Sequence, residues 1–322
     1  MAAVSVEALT KRYGELEAVR GIDFEVAEGE VFGFLGPNGA GKSTTIKILC
    51  TLAHPTSGRA HVAGHDVRTD RTQVRRNIGL VFQEPTLDTY LTAEQNLRFH
   101  GELYGVPRAQ LRSRMDEVLT MVGLDERRRD LVQTYSGGMR RRLEIARGLL
   151  HSPHVLFLDE PTIGLDPQTR ASIWDYIAEL RRREHITVFV TTHYMDEAEH
   201  CDRIAIMNEG ELAVIDTPEA LKSGIGSDRV QIRTADDDVA IAQLARVFGI
   251  EAAVREGAVT FAVPGGAHFV PRLFNDLDVA IETVTVTRPS LDDVFMTYTG
   301  TTIRDAESRA GVSPAFMRVM NR

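Results

Sequence analysis

Nine residues, Gly36 to Thr44, read GPNGAGKST and set Gly36, Gly41, Lys42 and Ser43 in the spacing G-x-x-x-x-G-K-[ST]. Glycines at this spacing let the backbone curl, so that successive N–H groups point inward at phosphate oxygens. Lys42 is a point charge able to reach β- and γ-phosphates, and the Ser43 hydroxyl is a hard oxygen able to ligate Mg²⁺. The whole span Gly36, Pro37, Asn38, Gly39, Ala40, Gly41, Lys42, Ser43 and Thr44 is therefore a candidate nucleotide-phosphate site. The bland alternative is an ordinary Gly-rich turn, because so short a pattern also arises by chance.

Two further constellations add chemistry. Val155-Leu156-Phe157-Leu158 is a continuous apolar run that ends in Asp159 and Glu160. Such a run reads as a strand covered on both faces, with the acids at its C-terminal end beside the phosphate loop of a neighbouring strand. There Asp159 would hold Mg²⁺, and Glu160 would act as general base on the attacking water. Tyr135-Ser136-Gly137-Gly138-Met139-Arg140 precedes a helical pattern. Ser136 can cap that helix, and the glycines let N–H groups face an anion. Taken singly, an acidic turn and a helix cap explain these residues as well.

The elements that must position these groups follow from periodicity. Val31–Leu35 reads as a buried strand feeding the loop, and Thr45–Leu49 as the helix leaving it. That helix start adds partial positive charge at the phosphates. Val4–Leu9 and Ile22–Val26 alternate as half-buried strands; Arg59–Val62 and Ile78–Phe82 are further strands. Helical patterns then dominate, at Ala93–Tyr104, Arg108–Val122 and Gly138–Leu150, as a helical subdomain spanning about residues 88–150. Thr169–Arg183 is a helix, Ile186–Val190 a strand, Glu197–Cys201 a short helix, and Ile204–Met207 with Glu211–Ile215 a hairpin. The first domain is expected over residues 1–220 and a linker over 221–228, where Gly224 and Gly226 stand. A βαββαβ pattern with a final helix over 229–300 predicts a small α+β domain, followed by a tail at 301–322.

Composition bounds the function. The net charge of −9 over 322 residues argues against a general nucleic-acid binder. The two cysteines, Cys50 and Cys201, fit neither a metal site nor a disulfide framework and favour a reducing compartment. No apolar run approaches the ~18 residues that span a bilayer. Work at a membrane would therefore need a second, integral chain.

In this order, the loop, Gln83 after a strand, Ser136-Gly137-Gly138 before a helix, Asp159-Glu160, Gly164-Leu165-Asp166 and His193 after a strand resemble the ATP-binding cassette (ABC) ATPases, from about Val4 to Pro218. The resemblance implies an α/β P-loop NTPase with a RecA-like core, an antiparallel β subdomain and an inserted helical subdomain, here followed by the small C-terminal α+β domain. It implies that Tyr13 stacks on adenine and that Gln83 senses Mg²⁺ and couples to a partner. Ser136 and Gly138 would contact the γ-phosphate of ATP held by the opposite subunit of a homodimer. Asp166 would sit at the dimer seam, and His193 would contact the γ-phosphate. Met139 stands where the family most often has glutamine, which removes a hydrogen-bonding side chain.

Thr287-Arg288-Pro289-Ser290-Leu291-Asp292-Asp293-Val294-Phe295 resembles the closing motif of drug-resistance ATPases of the daunorubicin/doxorubicin type. Gln83-Glu84-Pro85-Thr86-Leu87-Asp88, followed by Leu91-Thr92 and Glu94-Gln95-Asn96-Leu97, is similar to the same exporter group. The expected function is an ATPase with ATP and Mg²⁺, driving export through a separate integral membrane permease from the cytoplasmic face of the cell membrane. The alternatives are an importer ATPase and a soluble ABC ATPase acting on DNA or ribosomes. The second lacks support in a chain with one cassette, no sustained heptads and no zinc-type cysteine cluster. The basic triplets at 127–129, 140–142 and 181–183 read as solvated helix faces.

Overall fold

β1 (Ala2–Tyr13) and β2 (Leu16–Ala27) pair as a long antiparallel hairpin whose buried residues recur on one face. The computed structural model describes residues 2–255 and 257–300. The hairpin outruns the expected strands, because Thr10, Lys11 and Arg12 stay paired with Arg20, Val19 and Glu17 although they are polar. β3 (Val31–Leu35) is buried along its whole length and leads through the loop into α1 (Lys42–Leu49). β4 (Ser57–Val62) and β5 (His65–Asp66) extend the hairpin into a four-stranded antiparallel sheet ordered β2-β1-β4-β5. α2 (Arg71–Asn77) buries only Val74, so no periodicity announced it; it runs directly into β6 (Ile78–Val81).

α3 (Ala93–Leu103), α4 (Arg108–Met121) and α5 (Gly137–Leu149) lie where helices were expected. A capping box between Thr92 and Gln95 starts α3. Next come β7 (Val155–Asp159), α6 (Pro167–Glu184), β8 (Thr187–Thr192), α7 (Met195–Ala198), β9 (Arg203–Asn208) and β10 (Glu211–Asp216). α7 begins and ends earlier than the expected Glu197–Cys201.

The second sheet has six strands in the order β10-β9-β3-β8-β7-β6. All neighbours are parallel except β9 and β10. The acidic strand β7 is thus not the direct neighbour of β3, as the sequence reading had it; β8 stands between them. The C-terminal ends of β3, β8 and β7 lie side by side, the usual crevice of an open parallel sheet. Between the two sheets, Phe24, Phe32, Phe34 and Phe189 pack with ring centroids 4.9–6.0 Å apart. Each such ring contributes about 1.5–3 kcal/mol by burial. This anchors the middle strands whose ends carry the site.

The described chain divides into two compact units, residues 2–217 and 218–300. The second contains α8 (Pro218–Gly224), β11 (Asp228–Thr234), α9 (Asp237–Gln243), β12 (Ala252–Arg255), β13 (Ala258–Val263), α10 (Gly266–Asp276), β14 (Ile281–Thr287) and α11 (Leu291–Thr299). Its antiparallel sheet, ordered β12-β13-β11-β14, is the split βαβ arrangement of ferredoxin-like folds. The expected linker 221–228 is corrected here. α8 buries Leu221 and packs against α11, so Gly224 ends a helix and the break is confined to 225–227. The expected tail, 301–322, lies outside the described residues.

Candidate functional site

The loop owes its shape to close packing. Gly41 has φ +108°, and a Cβ there would meet the Ala18 carbonyl oxygen at 2.5 Å, so no side chain fits. Asn38 and Gly39 form the exposed tip, while Gly36, Pro37 and Ala40 are buried and Thr44 is half-buried. The buried Lys42 side chain curls back along the loop, and its Nζ donates to the carbonyls of Gly36 at 2.6 Å and Pro37 at 3.0 Å.

The middle strand ties the loop to the acids. Ser43 Oγ donates to Asp159 Oδ1 at 3.1 Å, and Thr191 Oγ1 donates to the same oxygen at 2.6 Å. Two hard oxygens from Ser43 and Asp159 thus meet at the start of α1, a donor set suited to Mg²⁺. Glu160 is buried and has φ +46°, a left-handed conformation that costs a bulky residue about 1–3 kcal/mol. Its N–H is held by Thr191, with O at 3.2 Å and Oγ1 at 3.1 Å.

The Glu160 carboxylate stands between the Lys42 ammonium and the His193 ring. Oε1 is 3.5 Å from Lys42 Nζ, and Oε2 is 3.4 Å from His193 Nδ1. Oε2 and Nδ1 are both buried and face each other without an aligned hydrogen bond. Burial pushes the Glu160 carboxyl upward, but the pull of His193 and Lys42 outweighs it and the net shift is down. Glu160 is therefore ionised at neutral pH and able to accept a proton.

Sequence reasoning placed the basic triplets in solvent, and for Arg141 that is wrong. It is 6% exposed and donates to the backbone oxygens of Phe82, Pro161, Asp159 and Glu160, and to Glu144 Oε2. A single guanidinium thus clamps the exits of β6 and β7. The signal was legible: Gly138, Arg141, Ile145 and Leu149 repeat at helical spacing on the buried face of α5. Arg128 and Arg181 are also engaged, with Asp116 and Glu94 and with Asp202 and the Gly29 carbonyl. Thr191, at the end of an apolar strand, gave no such signal.

The remaining expected residues are spread wider. Tyr13 is 41% exposed at the end of β1, with Lys11 Nζ 4.6 Å from its ring centroid. Gln83 is exposed and lines a groove with Gly137, Gly164 and Leu165; among the described residues it makes no hydrogen bond to Asp159 or Ser43. Ser136 caps α5 by accepting from the Met139 N–H at 3.3 Å, and Gly137 beside it is exposed. Gly138 is buried, and a Cβ there would lie 2.4 Å from Thr169 Cγ2. Its small size lets the starts of α5 and α6 pack together. Asp166 caps α6 and is held below the ordinary carboxylate range by hydrogen bonds from Thr169. Among the described residues, no hydrogen bond brings Ser136, Gly138 or Asp166 to Lys42 or Glu160.

A phosphate-type loop at the C-terminal edge of a parallel sheet, with Asp159 and Glu160 across a strand, defines a nucleotide-binding α/β ATPase. Comparison with known proteins narrows the class. The family described as "ABC transporter" matches residues 19–163, and "ATP-binding protein DrrA1-3-like, C-terminal domain" matches residues 217–299. The daunorubicin resistance ATP-binding protein DrrA2 of Streptomyces coeruleorubidus is 40% identical over 95% of this chain and 98% of its own. The linearmycin resistance ATP-binding protein LnrL of Bacillus subtilis (strain 168) is 38% identical over 94% of this chain and 100% of its own. Among solved structures, cbiO1 from Clostridium perfringens, part of the ABC transporter complex cbiONQ, matches with a TM-score of 0.65. It is 28% identical over 77% of this chain and 96% of its own. The chain belongs to the family of ABC transporter ATP-binding proteins, whose chemistry is ATP hydrolysis.

Proposed function

We infer that this chain is the ATPase of a drug-type exporter, that Glu160 is its general base, and that its site is completed by a second copy. The carrying observation is the buried Glu160 carboxylate set between Lys42 Nζ at 3.5 Å and His193 Nδ1 at 3.4 Å. The loop from Gly36 to Thr44 cradles the phosphates of ATP through backbone N–H groups, and Lys42 offsets their charge. Tyr13 stacks on the adenine. Ser43 and Asp159 hold Mg²⁺, with the Gln83 amide oxygen as a further donor; the ion supplies neutralisation of phosphate charge. Glu160 accepts a proton from the attacking water, and His193 donates toward the γ-phosphate.

The second copy enters through α5. Ser136 and Gly137 are exposed at a helix start, where backbone N–H groups and the helix dipole favour an anion. Supplied by the opposite copy, this start, with Gly138 inside it and Asp166 beside it, closes over ATP. The solved "Dimeric structure of a post-hydrolysis state of the ATP-binding cassette MJ0796 bound to ADP and Pi" supports that arrangement, at 30% identity over 66% of this chain, 98% of that chain and a TM-score of 0.60.

An integral permease docks near Gln83 and the helical subdomain, which places the ATPase at the cytoplasmic face of the membrane. Support comes from Tyr90, Phe99 and Leu103, which are 80%, 67% and 69% exposed there. The resistance names of the relatives support export of an antibiotic-like compound.

Glu160→Gln tests the reading. Glutamine cannot take the proton, so ATP turnover should fall about 10²- to 10⁴-fold while ATP binding persists. Near-normal turnover in this variant removes Glu160 from its role.

A further inference from the structure

Four residues past His193, Glu197 is 1% exposed on α7, and the mechanism above gives it no part. Its Oε1 accepts from the Thr162 hydroxyl and lies 3.8 Å from Arg170 Nε. Thr162 is fully buried, two residues past Glu160. Arg170 sits in the first turn of α6 and donates its backbone N–H to the Asp166 carbonyl at 2.9 Å. Its guanidinium covers the Tyr194 ring at 4.0 Å, and that ring lies 4.1 Å from the His193 ring. The Thr192 hydroxyl also reaches Glu197.

One carboxyl group therefore joins three segments: the exit of β7 after Glu160, the turn after β8 that carries His193, and the start of α6 beside Asp166. A buried carboxyl is costly unless paired, and its Oε2 has no hydrogen-bond partner, so burial alone does not account for it. We propose that Glu197 is a positioning residue for ATP hydrolysis, locking the His193 turn to the Asp166–Arg170 start of α6 so that Glu160 and His193 keep their arrangement. This rests on the assignment of hydrolysis to Glu160 and His193.

The titratable and charged groups facing Glu197 are Glu160 just past β7, His193 from the turn, Arg170 from α6, Arg141 from α5 and Cys201 after α7. Burial, aided by the Glu160 charge and opposed by Thr192, Arg170 and His193, pushes the Glu197 carboxyl up to about 7. Through neutrality it passes from an acid to a carboxylate that pairs with Arg170, and the lock tightens. Hydrolysis should therefore rise across that range as Glu197 ionises.

Glu197→Gln in the purified full chain keeps an acceptor for Thr162 and loses the charge. At pH 8 its kcat should fall about tenfold to a hundredfold, the scale of a small misplacement of reacting groups. ATP affinity should stay within about twofold, and the step near neutrality should leave the kcat–pH profile. A Glu197→Gln, Arg170→Met double variant should lose less than the product of the two single losses, because the two changes share the Glu197–Arg170 contact. Thermal melting separates positioning from folding. The raised pKa means that wild type loses this group's stabilisation as pH rises through about 7, whereas the glutamine variant does not, so it should melt no lower than wild type at pH 8. A kcat within about twofold of wild type at pH 8, or losses that multiply in the double variant, overturns the proposal. Glu160→Gln is the control: turnover surviving there removes the site assignment itself, whereas an inactive Glu160→Gln beside an unimpaired Glu197→Gln removes only the lock.

Discussion

The two units of the chain bury different things. Among the described residues, every buried polar or charged side chain lies in residues 2–217, including Lys42, Arg141, Glu144, Asp159, Glu160 and Glu197. The unit at 218–300 builds its core from Val230, Ile232, Leu244, Phe261, Phe269 and Leu273, with apolar neighbours alone. Burying an ion costs several kcal/mol even after relaxation, so a fold free to choose would do what the second unit does. Lys42, Asp159 and Glu160 gather at the C-terminal ends of β3, β8 and β7, the edge proposed for the chemistry, where Arg141 holds the backbone after β7 and Thr191 holds Asp159. Strain follows the same division: Glu160, at the centre of that cluster, is a non-glycine residue with a left-handed backbone.

The contrast can be broken at graded points. Arg141→Met should do most damage, since it leaves several buried carbonyls and Glu144 without their donor. We expect a loss of about 3–5 kcal/mol, measured by denaturant unfolding of the first unit. A loss below about 1 kcal/mol would mean that the buried charges of this unit are dispensable to its fold. Lys42→Ala should come next, costing about 1.5–3 kcal/mol of nucleotide affinity by titration with labelled ATP, the value of a charged hydrogen bond. Unchanged affinity would count against the phosphate loop. Ser290→Ala is the smallest. It removes the Ser290–Asp293 capping box of α11 and should cost the second unit about 1 kcal/mol, with ATP turnover unchanged. A fall in turnover would tie the second unit to the chemistry and blur the contrast.

How much of this was legible in the sequence depended on how local each signal was. The loop, β3 and β7 could be read because glycine spacing and continuous apolar runs are carried by neighbouring residues. The βαββαβ order of the second unit was legible for the same reason. The position of β8 between the loop strand and the acidic strand was not, because strand order is set by tertiary pairing. The spacing of Arg141 with Gly138, Ile145 and Leu149 marked it as buried, but its partners were not legible, since a guanidinium surrounded by carbonyls has the same letter as one in water. The packing of Gly138 was not legible either, since only the folded chain shows that a Cβ there would meet Thr169. α8 was hidden by Gly224 and Gly226, which look like a linker until Leu221 is seen to be buried. Glu197 sat unnoticed near His193, its role visible only when Thr162 and Arg170 are brought against it.

In the proposed dimer the first unit carries half of a hydrolytic site, and the exposed start of α5 completes the half held by another copy. Sedimentation velocity of Glu160→Gln with ATP and Mg²⁺ measures this directly. A monomer is expected without nucleotide, a stable dimer with ATP, and a monomer again when Ser136→Glu is added to the variant. A Glu160→Gln chain that saturates with ATP and still sediments as a monomer would contradict it.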